Sequence, residues 1–310
     1  MAKNMNYVFG PVLSRRLGFS LGVDLVPFKT CSLDCIYCQL GKTTHKTIER
    51  QAYVSPDSVI SEVKEALKQN QKIDYITFSG SGEPTLNLHL GKIITRVKEI
   101  TDIPVAVLTN GTLLHLESVR DELMTADLVV PSLDTVSQEL FCKINRPHPT
   151  LDVSQMISGL SNFSQSFSGT LWLEIMMVKG INDLPEEVEK IREVVSSVAC
   201  DKMQLNTTVR LPAEREIEPL THGELLKLKE LLGERCEVIA GFEGNQHVAK
   251  TDIQERIISI VSRRPLNLSE ISDSLGIPRE STTKHLFLLT KQGRIESLTY
   301  GSEAYFQLKR

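Results

Sequence analysis

The chain has 310 residues, of which 41% are hydrophobic and 5% aromatic, and its 35 lysines and arginines stand against 39 aspartates and glutamates. This composition is typical of a globular protein with one large or two smaller cores, and it excludes general disorder. A net charge of −4 excludes a surface that attracts nucleic-acid phosphates as a whole. The lack of an apolar run of about 18 residues excludes a membrane-spanning helix, and without a signal-peptide stretch we expect a cytoplasmic protein.

Residues 20–240 alternate short β-branched runs with amphipathic stretches, which predicts a parallel sheet covered by helices. Ser55 is predicted to cap, and Pro56 to open, a helix with its apolar face on Val59, Ile60, Val63 and Leu67. Another helix is predicted to open at Pro185, with Val188, Ile191, Val195 and Val198 on one side. Six strands are predicted, over residues 21–26, 73–79, 105–110, 128–132, 171–178 and 203–209. An open six-stranded barrel and a doubly wound sheet both fit this pattern.

Three cysteines lie close together directly after the first predicted strand, in the stretch TCSLDCIYCQLG. Cys31, Cys35 and Cys38 have the spacing C-x3-C-x2-C, with no fourth cysteine nearby. Three thiolates do not complete a structural zinc site, but they can bind three irons of a four-iron cluster and leave the fourth iron open. A Cys3His zinc site that includes His45 is the alternative. The other cysteines, at positions 142, 200 and 236, are predicted to be reduced packing residues.

This loop resembles the signature of the radical S-adenosylmethionine (SAM) superfamily, and the resemblance extends over residues 7–240. It implies an α/β fold, a partial (βα)6 barrel, with a [4Fe–4S] cluster on Cys31, Cys35 and Cys38. It also implies that the open iron binds SAM, and that an electron from reduced flavodoxin or ferredoxin cleaves SAM to a 5′-deoxyadenosyl radical. Ile36 and Tyr37 would shield the cluster from water.

The resemblance further implies SAM contacts at the carboxyl ends of successive strands, where barrel active sites collect. After the second strand, the stretch FSGSGEPTL resembles the motif that contacts the methionine amino group, through Gly80, Gly82, Glu83 and Pro84. On its own, this stretch is a glycine-rich turn. The contacts implied after the later strands are Asn110, Ser132, Asp134, Val178, Gly180 and Asn206.

The stretch FGPVLSRRLGFSLGVDLVPFKTCS resembles a narrower subgroup, the wyosine-forming tRNA enzymes of the 4-demethylwyosine synthase type. Several relatives with that chemistry carry additional cysteines for a second cluster, and residues 1–30 contain none. The substrate is therefore left open. Arg15, Arg16, Lys29 and Arg210 are candidates to bind an anionic substrate, or else surface charges paired with local carboxylates.

The pattern changes near residue 241, and we predict a barrel over residues 1–240, a linker over 241–251 and a second domain over 252–310. Three helices and a hairpin with a turn at Gly301 predict a winged helix-turn-helix, with its second helix capped by Ser269. Its nine lysines and arginines exceed its seven aspartates and glutamates. Contact with tRNA or DNA is one prediction, with recognition-helix candidates Arg279, Lys284, His285 and Lys291, and a packing or protein-binding role is the other.

The sequence thus predicts a radical SAM enzyme, an oxidoreductase or transferase, that abstracts hydrogen from an unidentified substrate such as a tRNA nucleoside. The alternative is an iron–sulfur transcriptional regulator in which the metal loop senses oxygen or iron and the wing reads DNA. A regulator of this kind needs no SAM pocket.

Overall fold

The computed structural model describes residues 7–69, 72–239, 253–262, 264–301 and 303–309. Its strands are β1 Val8–Ser14, β2 Gly18–Val23, β3 Thr30–Cys31, β4 His45–Lys46, β5 Tyr75–Phe78, β6 Val105–Thr109, β7 Leu128–Pro131, β8 Thr170–Met177, β9 Lys202–Thr207, β10 Cys236–Val238, β11 Leu266–Asn267, β12 Ile295–Tyr300 and β13 Glu303–Leu308. Its helices are α1 Pro56–Leu67, α2 Leu90–Lys98, α3 Glu117–Leu123, α4 Gln138–Ile144, α5 Val153–Ser166, α6 Pro185–Ser196, α7 His222–Leu232, α8 Ile253–Val261, α9 Leu268–Leu275 and α10 Arg279–Lys291. The predicted linker over 241–251 lies outside the described residues.

One mostly parallel sheet organises the chain from residue 8 to residue 238, with strand order β1-β2-β5-β6-β7-β8-β9-β10. The strands β2, β5, β6, β7, β8 and β9 correspond to the six predicted strands and follow one another in chain order, all parallel. A doubly wound sheet reverses its strand order at a switch point. The strand order observed here has no such reversal, so the predicted alternative of a doubly wound sheet is wrong.

Two strands at the edges of the sheet were not predicted. β1 pairs antiparallel with β2, and β10 pairs parallel with β9. β1 contains Gly10 and Pro11, and proline is tolerated only on an edge strand because it donates no ladder hydrogen bond. β10 has three residues, which is too short for a periodic pattern to be visible.

Side chains alternate between the two faces of the sheet. The outer face packs on the helices in one large core, to which β5 contributes Ile76 and Phe78 and α1 contributes Val59 and Val63. On the inner face, a second cluster closes the amino end of the sheet with Leu17, Ala106, Leu128 and Val130. Nearer the carboxyl end, the inner face is more polar and carries Ser20, Thr77, Glu174 and Asn206.

The sheet is curved, because inner residues of strands far apart in its order line one cavity. Ser20 of β2, Glu174 of β8 and Asn206 of β9 all line it. Arg16, just before β2, also bonds Glu174 across this space at 2.7 Å. The inner face therefore encloses a cavity at the carboxyl half of the strands, where enzymes built on parallel β/α units place their chemistry.

Two predicted helix caps differ from the structure. Ser55 occupies the N-cap of α1, but its side chain makes no capping hydrogen bond. The helix α9 is capped by Asn267 and not by Ser269: Asn267 accepts from Glu270 N, and Glu270 accepts from Asn267 N, a complete capping box. Asn267 also ends β11, so the cap sits where a strand turns directly into a helix.

The C-terminal segment, defined here as the described residues from 253 to 309, contains α8, α9, α10 and the three-stranded sheet β11-β13-β12. Its core is separate from the core of the large sheet and includes Ile257, Ile271, Leu275, Leu286 and Leu289. The predicted three helices and hairpin are therefore present, and β11 is an additional short strand.

The sequence also predicted the absence of membrane-spanning helices and a packing role for the three cysteines outside the loop. No helix among the described residues is long and apolar enough to cross a membrane. Cys200 and Cys236 are buried, as expected for packing residues, but Cys142 is exposed on α4. Its neighbours on the buried face of that helix are Phe141 and Ile144, so the helical period turns Cys142 outward.

Candidate functional site

The cysteine loop, residues 30–41, lies beyond the carboxyl end of β2 and is fastened to the ends of neighbouring elements. Asp34 N and Ile36 N donate to the carbonyls of Asn145 and Ile144, at 2.9 Å each, where α4 ends. On its other side, Glu83 N donates to Thr30 O at 3.1 Å. The backbone that carries the three cysteines is therefore fixed by contacts on two sides.

Each of the three cysteine sulfurs lies within hydrogen-bond distance of a different nitrogen donor. Lys29 Nζ is 3.2 Å from Cys38 Sγ. Asn110 Nδ2 is 3.5 Å from Cys31 Sγ, and Asn145 Nδ2 is 3.4 Å from Cys35 Sγ. Donors of this kind stabilise thiolate sulfur, and hydrogen bonds to sulfur are one of the means by which proteins tune iron–sulfur clusters.

The three thiols also influence one another electrostatically. Burial, with smaller contributions from the nearby Glu83 carboxylate and the Cys38 thiol, raises the pKa of Cys31 to about 12. Burial and the charge of Asp134 raise the pKa of Cys35 well above its ordinary value, with contributions from both other thiols. Beside two buried carboxylates, Cys31 and Cys35 become thiolates only when positive charge is near, and the irons of a cluster would supply that charge.

The donor set fits a four-iron cluster better than a zinc ion. No group of three or more histidine, cysteine, aspartate or glutamate side chains in the described ranges is arranged to hold a single metal ion. His45, the fourth ligand of the alternative zinc site, is exposed on β4. A cluster requires no single meeting point, because each cysteine binds a different iron.

The GSGEP turn after β5 braces the cysteine loop. A Cβ atom on Gly82 would lie 1.8 Å from Thr30 O, so only glycine fits against the backbone that leads into Cys31. Gly80 has a φ of +125°, and a Cβ there would meet the Asp24 carboxyl at 2.8 Å. Close approach to the Thr30 backbone is the physical reason for Gly82, and the positive φ beside the Asp24 side chain is the reason for Gly80.

Glu83 is buried and its carboxylate is fully engaged within this turn. Oε1 accepts hydrogen bonds from Thr85 N, Thr85 Oγ1 and Thr109 Oγ1, and Oε2 accepts from Asn110 N at 2.7 Å. Pro84 follows it in a short 3-10 turn and is buried. Glu83 therefore ties the end of β5 to the end of β6, and its carboxylate does not line the cavity.

Asp134, after β7, connects the cysteine loop to the sheet. Its Oδ2 accepts from Tyr37 OH at 2.5 Å and from Asn145 Nδ2 at 2.7 Å, and its Oδ1 accepts from Met176 N at 3.0 Å. Burial raises the pKa of Asp134 to about 6, against the opposing effect of these hydrogen bonds. Tyr37 itself faces the cavity.

The other residues predicted to contact SAM differ in their position relative to the cysteine loop. Val178 is buried beside Ile36 and Ile144, in a small cluster that also includes Tyr37. Ser132 forms a bridge to Glu174 at the carboxyl end of β7. Gly180 lies in an exposed turn with a φ of +70°, and a Cβ on it would meet nothing within 4 Å.

A cavity of about 340 Å³ adjoins the cysteine loop and is lined by Tyr37 and Cys38. Asn206 is buried in its wall, accepts from Arg15 Nη1 at 3.1 Å and donates to Glu174 at 3.0 Å. Arg15 and Arg16 also line the cavity. Burial, followed by the charges of Arg210 and Arg16, lowers the pKa of Arg15 to about 10.

The predicted substrate residues do not all reach this cavity. Arg210 lines it and pairs with Glu270 of α9. Arg15 and Arg16 line it as well, from the turn between β1 and β2. Lys29 is buried with a φ of +60° and directs its ammonium group to Cys38, so it serves the cysteine loop and not the cavity.

Sequence reasoning missed several residues of the site. Asn145 reaches Cys35 and Asp134, and the NRPHP stretch after α4 shows nothing unusual that would have identified it. Arg264 lines the cavity from the C-terminal segment. Its hydrogen bond to Gln39, at 3.1 Å, joins residues 225 positions apart, which no local pattern reveals.

The chain is similar to known proteins over most of its length. The sequence profile described as "Radical SAM superfamily" matches residues 25–195. The UPF0026 protein MJ1312 of Methanocaldococcus jannaschii is 34% identical over 312 residues, which cover 97% of this chain and 96% of that protein.

A second relative is much longer than this chain. A Brachyspira hyodysenteriae protein named "GTPase Obg" is 39% identical over 303 residues, which cover 96% of this chain but 45% of that protein. The present sequence has no G-x-x-x-x-G-K-[ST] phosphate-binding loop, so nothing in it accounts for that name.

Among solved structures, a radical SAM methyltransferase from Sphaerobacter thermophilus has a TM-score of 0.56 and 16% identity. The similarity covers 71% of this chain and 65% of that one. At this identity the likeness concerns the fold alone.

Proposed function

Because the chain belongs to the radical SAM superfamily, and therefore uses a [4Fe–4S] cluster and SAM, we propose that it is an enzyme acting on an anionic substrate in the cavity beside Cys38. One observation carries the proposal. Three partly buried thiols, each with its own N–H donor, lie next to a cavity on the inner face of a curved parallel sheet.

Cys31, Cys35 and Cys38 bind the cluster in this proposal. Bound there with SAM, the cluster supplies a 5′-deoxyadenosyl radical that abstracts hydrogen from the substrate. Enzymes of this superfamily need an electron donor, and we propose reduced flavodoxin or ferredoxin in the cytoplasm.

The chain's own residues orient and shield the cofactors. Lys29, Asn110 and Asn145 direct N–H groups at the three sulfurs, and so stabilise negative charge on the thiolates. The Glu83 carboxylate oxygens already accept four hydrogen bonds within the protein. We therefore propose that Glu83, with Gly80, Gly82 and Pro84, supports SAM binding by fixing the turn against the cysteine loop. Tyr37 covers the cluster while Asp134 fixes its hydroxyl.

SAM itself is proposed to lie against the strand ends that carry Asn110, Ser132, Val178 and Asn206. Val178 is the contact best supported by position, because it packs beside Tyr37 and Ile36 of the cysteine loop. Gly180 is the least supported, since it lies in an open turn. Arg15, Arg16 and Arg210 are proposed to bind the anionic part of the substrate, because all three line the cavity.

The C-terminal segment is proposed to be a winged helix-turn-helix domain that begins after a linker at 241–251. Its element order, with three helices and a final hairpin, supports that assignment. Contact with tRNA or DNA, and membership of the wyosine-forming subgroup, remain predictions. Lys284 pairs with Glu280 on α10, and the same helix exposes Phe287 and Leu288, so basic charge does not dominate its free face.

The experiment is anaerobic reconstitution followed by reaction with SAM and dithionite. We expect 5′-deoxyadenosine in more than trace amounts from the wild type, and none from Cys35→Ala. The matched control is Cys142→Ala, which removes an exposed thiol on α4 and should leave the product unchanged. Absence of 5′-deoxyadenosine from fully reconstituted wild-type protein would contradict the proposal.

The same experiment separates this function from a redox-sensing regulator. A regulator requires a cluster that oxygen or iron alters, but it does not require SAM cleavage. The enclosed cavity beside the cysteine loop favours the enzyme, since a sensor has no use for one.

A further inference from the structure

The C-terminal segment contacts edge strand β1 and the loop that follows β9. Val12 of β1 packs against the core of the segment. On the other side, Tyr300 OH donates to Ile217 O at 3.1 Å and Tyr305 OH donates to Val209 O at 3.4 Å, in the loop after β9. The segment therefore bridges the first strand of the curved sheet and the chain that leaves β9.

Arg264 of this segment forms part of the cavity wall. It lines the cavity of about 340 Å³ and also a second cavity of about 290 Å³, which lies between the cysteine loop and the segment. Gln39 and Leu40, directly after Cys38, line both cavities as well. Gln39 Oε1 accepts from Arg264 at 3.1 Å and from Arg210 at 3.3 Å, so these three side chains separate the two cavities.

The cavity has an excess of positive charge. Four guanidinium groups line it, those of Arg15, Arg16, Arg210 and Arg264. Against them stand two carboxylates, Glu174 beside Arg16 and Glu270, which pairs with Arg210 and lies 3.9 Å from Arg264, so the positive charges exceed the negative ones by two among the described residues. In addition, Arg16 Nη1 is buried and has no hydrogen-bond partner among them.

Such an arrangement is costly unless something negative binds. Burial, followed by the positive charge of Arg210, lowers the pKa of Arg264 well below its ordinary value. Part of this shift is the repulsion between the two guanidinium groups. Guanidinium groups match phosphate and carboxylate oxygens in pairs, and a buried cluster of them is typical of an oxyanion site.

We propose that the C-terminal segment completes the substrate cavity through Arg264, and that the cavity binds the phosphate or carboxylate group of a small substrate between Arg16, Arg210 and Arg264. This inference rests on the proposed function, since it assigns the substrate class of the same site. A cavity of about 340 Å³ suits a compact anion and not a folded nucleic acid.

The test is calorimetric titration of the anaerobic, cluster-loaded full chain with saturating SAM present and no reductant. Inorganic phosphate and malonate are the two probes, and a lower dissociation constant for one of them identifies a phosphate or a carboxylate as the preferred group. Saturating SAM ensures that its own carboxylate site is already filled. We expect one site per chain, with binding about tenfold weaker in Arg264→Ala and in Arg210→Ala.

Two variants make the result specific. Arg192→Ala removes an exposed arginine of α6, far from the cavity lining, and should bind the probe as tightly as wild type. Arg264→Lys keeps the charge in case alanine unfolds the segment, and it should restore part of the affinity. The inference is wrong if neither probe binds the wild type, if SAM abolishes binding, or if Arg192→Ala weakens it as much as Arg264→Ala. Wild-type 5′-deoxyadenosine formation without probe binding would refute this inference alone, and the reverse would refute the proposed function alone.

Discussion

At the scale of single residues, the three N–H donors around the cysteines come from separate parts of the chain. Lys29 precedes the cysteine loop, Asn110 follows β6, and Asn145 follows α4. Lys29 is the only charged member of this group of three. A positive charge next to a thiolate ligand favours the reduced, more negative cluster.

Replacing Lys29 with methionine should therefore lower the midpoint potential of the cluster. A loss of about 1.4 kcal/mol of stabilisation corresponds to about 59 mV for a one-electron couple, and we expect a shift of that order. A redox titration followed by EPR measures it. Lys64→Met, on the solvent face of α1, is the control, and equal potentials in all three proteins would show that Lys29 has no such role.

Asp134 gives a pH dependence to the metal-free protein. Burial raises its pKa from 3.8 to about 6, so the folded chain binds this proton more tightly than the unfolded chain does. The bound proton stabilises the folded chain by an amount on the order of 3 kcal/mol. This stabilisation is fully present below about pH 4 and is lost as the pH rises through about 6. The free energy of unfolding of Asp134→Asn, measured in urea, should not fall in this way as the pH rises. Exposed Asp57→Asn should retain the fall, and parallel wild-type and Asp134→Asn curves would contradict the assignment.

The sequence identified the residue types of the site but not every contact. The cysteines, Tyr37 and Asp134 follow from a local motif and from strand ends. The contact of Lys29 with Cys38 was not predicted because its direction depends on a left-handed backbone, and Arg264 was missed because its partners are distant in the chain. Contacts of this kind are set by tertiary packing, which leaves no periodic trace.

At the scale of elements, the turn after β5 and the cysteine loop are fitted to each other backbone against backbone. Ser81 O accepts from Lys29 N at 2.7 Å, close to the contact of Gly82 with Thr30 O. A side chain at position 82 cannot be accommodated by rotation, because the atom in its way belongs to the backbone.

Gly82→Ala should accordingly displace Thr30 and Cys31 and reduce cluster incorporation. The expected result is much less iron per chain after anaerobic reconstitution than in wild type. Gly223→Ala, in α7 where a Cβ meets nothing within 4 Å, should bind as much iron as wild type. Full iron content in Gly82→Ala would show that the turn does not support the loop.

The six parallel strands were predictable because each is a short β-branched run between helices with clear apolar faces. The edge strands were not, since β1 contains Gly10 and Pro11 and β10 has three residues. Both take their structure from pairing with a neighbour. Edge pairing is a long-range effect, and a single sequence does not show it.

At the scale of the whole molecule, the C-terminal segment has a core of its own, although it also contacts β1, the cysteine loop and the chain after β9. If the C-terminal segment is a domain, a cavity in its core should loosen that segment alone. Leu275→Ala removes a buried side chain of α9 and should cost about 2–5 kcal/mol there. Hydrogen exchange should then rise across α8 to β13 and stay unchanged in β5 to β9. Leu288→Ala, at an exposed position, is the control, and a rise over the whole chain would indicate one cooperative unit.

The central claim is that Cys31, Cys35 and Cys38 hold a cluster with one iron open to SAM. Low-temperature EPR of the dithionite-reduced holoprotein, recorded before and after addition of SAM, tests it most directly. The account predicts about four irons per chain and a signal whose shape changes when SAM is added. A signal that SAM leaves unchanged, or a colourless protein with about one zinc per chain, would contradict it.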